Sequence, residues 1–137
     1  MTEMANKTIA RQFYEQAWNV KDVAIVEELL AHDFVNHEIE GDVTQPHREL
    51  YKQAVLETFA AFPDWTTTID DLIAEGDKVV MQWRAQGTHT GEGMGTPTGK
   101  QIALNGITIV RVKDRKISDF WKKDNSFLAW KLLVESR

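Results

Sequence analysis

Hydrophobic residues recur with two different periods along this chain, and the change falls at Trp65. Before it, apolar positions repeat every three to four residues, the spacing that lays side chains along one face of a helix. Ile9, Phe13 and Ala17, with Tyr14 and Trp18 beside them, predict a first amphipathic helix for which Asn6 or Thr8 is a candidate cap. Asp22 is the predicted cap of a second helix, with the stripe Val23, Val26, Leu29 and Leu30 and an end near His32 and Asp33. Residues 34–37 read as a short extended piece, followed by a polar connection containing Gly41. Thr44, ahead of Gln45 and Pro46, predicts the start of a third helix, because a proline in the first turn lacks only an N–H that has no helical partner. Its stripe is Tyr51, Val55, Thr58, Phe59 and Phe62, and Pro63 stops it.

After Trp65 the period becomes two. Strands are predicted over 65–74, 78–89, 101–112 and 116–123, and a short apolar tail follows with Phe127, Leu128, Trp130, Leu132 and Leu133. In the second strand Val79, Met81, Trp83, Ala85 and Gly87 share one parity, and His89 falls on it too. With that parity inward, His89 stands at the strand end, at the lip of an opening. The loop that follows carries Gly91, Gly93, Gly95 and Gly99, which suit tight reversals and a mobile cover. It opens a strand and not a helix, so it does not fit a phosphate-binding fingerprint. Helices first and long hairpin strands afterwards predict an α+β fold, with helices packed on one face of a curved antiparallel sheet and a pocket inside the resulting cone.

Composition narrows the function. The 137 residues suit one domain over 1–137, which at this size buries roughly two thirds of its unfolded surface. The chain is 42% hydrophobic and 27% charged, and no apolar run approaches the ~18 residues of a membrane span. A membrane partner is not expected. A net charge of −5 argues against nucleic acid, and the basic run Arg111, Lys113, Arg115, Lys116, Lys122, Lys123 reads as a solvated hairpin. Cysteine is absent, which removes disulfides, thiolate nucleophiles and Cys-based metal sites and makes the cytoplasm the expected compartment. His37 with Glu38 and Glu40 hints at a metal, but no third histidine stands at ligand spacing, and none is expected. No Ser, Cys or Lys sits in an activating context for covalent catalysis. Tyr14, Trp18, Trp83 and Trp121 are candidates for a pocket wall or for plain core; buried, their polar hydrogens need partners.

Several segments together resemble a known family: residues 13–19, 29–37, 89–91, 95–100, 105–107, 111–114 and 116–121. The pattern is similar to that of the SnoaL-like polyketide cyclases, within the nuclear-transport-factor-two-like superfamily of α+β cone folds. The resemblance spans nearly the whole chain. It implies a cone-shaped α+β barrel, a homodimer paired through its sheets, no cofactor, and a small apolar or polyketide-like ligand. It further implies an aspartate near the end of the last strand as general acid/base, and a histidine at the His89 position. Asn36, His37, Asn105 and Asn125 join Tyr14, Trp18, Trp83 and Trp121 as implied ligand-binding residues. The family's aspartate usually follows the equivalent of Trp121 by four residues. Here that place is Asn125, while Asp124 stands three after Trp121, on the opposite parity unless a bulge intervenes. Either Asp124 fills the role or Asn125 has replaced the acid.

With Asp124 in place, it and His89 form the expected catalytic pair for an aldol-type cyclisation, isomerisation or hydration of a carbonyl compound. Burial in an apolar cavity is expected to raise the carboxyl pKa and strengthen the base. With Asn125 in place, the fold becomes a non-catalytic small-molecule binding or interaction domain. The alternative role for Asp124 is a cap or a surface ion pair with Lys122 or Lys123. For His89 it is a structural bond to the loop it introduces.

Overall fold

The computed structural model describes residues 2–135. Helix α1 (Glu3–Asn19) is capped by Thr2, whose hydroxyl accepts the Ala5 N–H. The helix therefore starts well before the predicted caps; Thr8 instead bonds the Met4 carbonyl within it, and Asn6 reaches across to the Gly76 carbonyl. Helix α2 (Val23–Leu29) is capped by Asp22 as its sequence suggests, but it stops one residue short of the last position of its apolar stripe and before the end expected near His32 and Asp33. Leu30 turns extended and opens strand β1 (Leu30–Asn36), because a fully buried leucine serves a strand as well as a helix. Helix α3 (His47–Ala61) begins after Thr44, with extended Pro46 in the cap position and no side-chain cap.

Four strands follow from the alternating region: β2 (Thr66–Glu75), β3 (Lys78–Thr88), β4 (Gln101–Lys113) and β5 (Lys116–Asp124). The apolar tail is helix α4 (Ser126–Glu135). β2, β3, β4 and β5 pair antiparallel in sequence order, and β1 adds in parallel beside β5, giving the order β1-β5-β4-β3-β2. The expected antiparallel barrel is thus a mixed five-stranded sheet that does not close. The parallel pair escapes a hairpin-based reading because β1 and β5 lie some eighty residues apart, joined by no turn that a local pattern could reveal.

The inward parity of β3, with Val79, Met81, Trp83 and Ala85, is buried in the core, and β3 packs against α1. An aromatic cluster ties the three layers: the Tyr51 ring lies 5.4 Å from both Phe13 and Phe120 and 6.1 Å from Phe34. On the other face Arg84 grips Asp70 with two hydrogen bonds, 2.7 and 2.8 Å.

The glycine-rich loop is pinned at both ends. His89 N–H bonds the Lys100 carbonyl at 2.8 Å, Gly99 N–H returns to the His89 carbonyl at 2.9 Å, and Gly91 N–H bonds Ala61 at the end of α3. A β-carbon on Gly91 would sit 1.8 Å from the Ala60 carbonyl oxygen, so only glycine permits this approach. Gly91→Ala is expected to cost about 1–3 kcal/mol by overpacking, read as a lower midpoint in chemical unfolding.

Candidate active site

A cavity of about 460 Å³ lies between the concave face of the sheet and the helices. Its walls are Tyr14 and Trp18 from α1, Phe62 and Trp65 after α3, Trp83 and Leu104 from the sheet, and Phe127, Trp130 and Leu133 from α4. Phe127 is 81% exposed and Trp130 44%, so α4 borders the mouth while its Leu133 seals the interior. Two charged side chains enter this apolar space, Lys122 and Asp124.

Strand alternation puts them there. Phe120, Lys122 and Asp124 pair with Val110, Thr108 and Gly106 on the concave face, whereas Trp121 and Lys123 pair with Ile109 and Ile107 on the convex one. Asp124 lies opposite in parity to Trp121, and Trp121 faces out, so Asp124 faces in. Its side chain is 8% exposed. Oδ1 accepts the Ser126 N–H at 3.0 Å and the Ser126 hydroxyl at 2.6 Å, and Oδ2 faces the Lys122 ammonium at 3.3 Å. Burial pushes the carboxyl pKa up, but the Ser126 bonds and the Lys122 charge outweigh it, and the net value lies below the usual aspartate value. The carboxylate is therefore ionised at neutral pH, and the expected rise from desolvation is more than cancelled.

Behind it is a buried polar node. The Thr108 hydroxyl, fully buried, accepts the Trp83 indole N–H at 2.9 Å and shares a hydrogen bond of 3.1 Å with the Tyr14 hydroxyl. Burial holds the Tyr14 pKa well above the ordinary phenol value, and the Asp124 charge adds to this, so Tyr14 stays protonated. Trp18 donates to the Tyr51 hydroxyl at 2.8 Å. Gly106 leaves the room: a β-carbon there would lie 2.5 Å from the Trp83 ring, 2.8 Å from Asp124 Cβ and 2.8 Å from the Lys123 carbonyl oxygen.

Of the residues singled out from sequence, Asp124, Tyr14, Trp18 and Trp83 meet at this cavity. His89 is fully buried behind Phe62, ring centroids 5.3 Å apart, and its Nδ1 accepts the Thr98 N–H at 3.3 Å. Phe62, and not His89, supplies wall there. Trp121 stacks on His37 at 4.4 Å on the convex face, with His37 Nε2 2.8 Å from Asp119. Asn36 accepts the Glu38 N–H, and its own N–H donates to His47. Asn125 Oδ1 accepts the Asn105 N–H, which joins the start of α4 to β4. Sequence reasoning missed Lys122, Thr108, Gly106 and the α4 wall; the parity shared by Phe120, Lys122 and Asp124 was the available signal. Among the described residues no group of three or more His, Asp or Glu side chains could hold a metal ion. No helix there is long and apolar enough to cross a membrane.

The fold is that of a family. The chain belongs to the SnoaL-like polyketide cyclase family, whose model matches residues 8–127. Among solved structures it is similar to IdmH from Streptomyces antibioticus, a candidate polyketide cyclase, at 30% identity over 93% of this chain and 98% of that one, TM-score 0.76. A candidate polyketide cyclase from Acidithiobacillus ferrooxidans matches at 27% identity over 97% and 96% of the two chains, TM-score 0.78. AclR from Streptomyces galilaeus, a candidate hydroxylase, shares the fold at 22% identity over 98% of this chain and 83% of that one, TM-score 0.82. No curated protein sequence matches the chain.

Two measurements check the site. The Asp124 carboxyl, followed by NMR, should titrate below the ordinary aspartate value of ~3.9, and Lys122→Met or Ser126→Ala should raise it. Because the folded pKa is the lower one, this carboxylate stabilises the fold fully above the unfolded value, and the contribution disappears as pH falls through the folded value. Gly106→Ala should displace Asp124 and Trp83 and lower stability by about 1–3 kcal/mol.

Proposed function

We propose that the protein is a cofactor-free acid/base enzyme acting on a small, largely apolar carbonyl compound, with Asp124 as the base. The observation that carries this is an ionised, 8% exposed carboxylate at the wall of a 460 Å³ apolar cavity. Family membership supports a cyclase-type reaction. In an aldol closure Asp124 Oδ2 takes the proton next to one carbonyl, and the C–H pair becomes an enolate. The enolate carbon then bonds to a second carbonyl carbon within the folded ligand. That carbonyl's π pair moves to its oxygen, which takes the proton carried by Asp124 and returns the carboxylate to its resting state. Tyr14, kept as a phenol by burial, is the hydrogen-bond donor on the same wall. A general base held at such a position contributes about 10²–10⁴-fold, and the enclosing aromatic rings fold the chain into reach. His89 acts from behind Phe62, positioning the wall and the loop base through Thr98.

Solvent exchange of α-protons tests this without knowledge of the natural ligand. The wild-type protein should accelerate deuterium uptake from D₂O into a panel of aryl β-diketones, and Asp124→Asn should remove the acceleration by about 10²-fold or more with folding unchanged. Equal exchange in both proteins would return the cavity to a binding role alone.

The same reading includes a homodimer paired through convex sheet faces. Ile102 and Leu104 point to the cavity, leaving Ile107 and Ile109 on the convex side with Val80 and Ile73; Ile107 is 48% exposed and Ile73 56%. Sedimentation at micromolar concentration should give a dimer, and Ile107→Glu a monomer; a wild-type monomer would end this part of the reading.

A further inference from the structure

Lys122 is the second charge in an otherwise apolar cavity, and the reaction proposed above does not use it. Its ammonium lies 3.3 Å from Asp124 Oδ2, the oxygen left over once both Ser126 donors have engaged Oδ1. The neighbouring Lys123 has a different fate, 89% exposed on the convex face and bonded to Glu38 at 3.0 Å. The ammonium of Lys122 thus has the resting carboxylate as its anion inside the cavity. When Asp124 accepts a proton, that anion disappears and an equal negative charge arises on the ligand oxygen. The ammonium is already beside the place where the charge moves.

We infer that Lys122 is a further catalytic residue, the cation of an oxyanion site that Asp124 occupies at rest and that an enolate or phenolate oxygen takes over during turnover. This deepens the proposed function and rests on its assignment of the cavity. It assigns the ligand class: aromatic or conjugated compounds whose enol or phenol oxygen becomes anionic, held with the ring among Trp18, Trp83 and Trp130 and the oxygen toward Lys122. Net charge in the cavity stays constant throughout, because proton transfer moves a negative charge from Asp124 to ligand while the ammonium remains. The Lys122 side chain is 39% exposed, so solvent screens part of its charge, but a cation already beside the site needs little reorganisation as the charge arrives. Lysine suits a single oxygen, as a compact point charge with three donors.

para-Nitrophenol tests the site directly, because its absorbance distinguishes bound phenol from bound phenolate. Wild-type protein should bind the phenolate in competition with Asp124. Asp124→Asn removes the competing anion and should tighten phenolate binding about tenfold or more, the weight of a charge within ~4–6 Å. Lys122→Met should weaken it by a similar factor and leave affinity for the neutral analogue para-nitrotoluene unchanged. Lys122→Arg should restore much of the loss, and Lys123→Met should change nothing. The para-nitrotoluene control reports folding and an intact cavity in every variant. Phenolate affinity that does not respond to either Lys122→Met or Asp124→Asn overturns the inference, as does a wild-type protein and an Asp124→Asn variant that both show no spectral change. Absent deuterium exchange together with the full phenolate pattern would remove the enzyme reading while leaving the anion site standing.

Discussion

The Thr108 hydroxyl fixes the geometry on which the rest of the cavity depends. It is buried on β4, yet it joins Trp83 on β3, 25 positions away in the chain, to Tyr14 on α1, 94 positions away. One threonine oxygen can accept two hydrogen bonds and donate one, so this node satisfies three polar groups that would each cost about 1–3 kcal/mol if left without a partner. Satisfying them requires α1 to lie at one height and one rotation over the sheet. Trp83 and Tyr14 therefore turn flat walls toward the cavity instead of filling it. A valine at this place would keep the volume of the threonine and strand both rings' polar atoms.

Around that node the concave face is filled unevenly. Toward β1 the space between helices and sheet is closed by the rings of Phe13, Phe34, Tyr51 and Phe120. Toward the far ends of β4 and β5 it stays open, because Gly106 withholds a side chain where a β-carbon would strike Trp83 and Asp124. The cavity is thus a place where packing stops, at the point where Lys122 and Asp124, the only charged residues of its wall among the described residues, enter. Both come from one strand, two positions apart, so one twist of β5 sets the pair.

The sequence made the α+β order, the inward parity of β3 and the loop after His89 legible, since each follows from local spacing; Asp124 was singled out by the family resemblance. Leu30 hid the start of the first strand, whose later residues had read as extended, because burial alone does not tell a helix end from a strand start. The parallel β1–β5 pairing hid for the same reason at longer range. The loop glycines read as sources of mobility, yet Gly91 is required by a close approach to the Ala60 carbonyl that no local pattern encodes. Trp121 and Asp124 were set against each other by an assumed shared face. The conflict vanishes once Trp121 is seen to stack on His37 outside the cone. Lys122 was read within a run of surface cations, although alternation alone separates it from Lys123. The apolar residues after Asn125 carried helical spacing that was too short to distinguish from a tail.

Ser126 belongs to two structures at once. It is the first residue of α4, the helix that brings Phe127, Trp130 and Leu133 to the cavity, and it supplies both hydrogen bonds that hold Asp124 Oδ1. Helix position and proton affinity are therefore coupled, beside the effects of burial and of the Lys122 charge. A ligand that wedges α4 outward lengthens the bonds that keep the carboxylate weakly basic, and its affinity for a proton rises while the ligand is present.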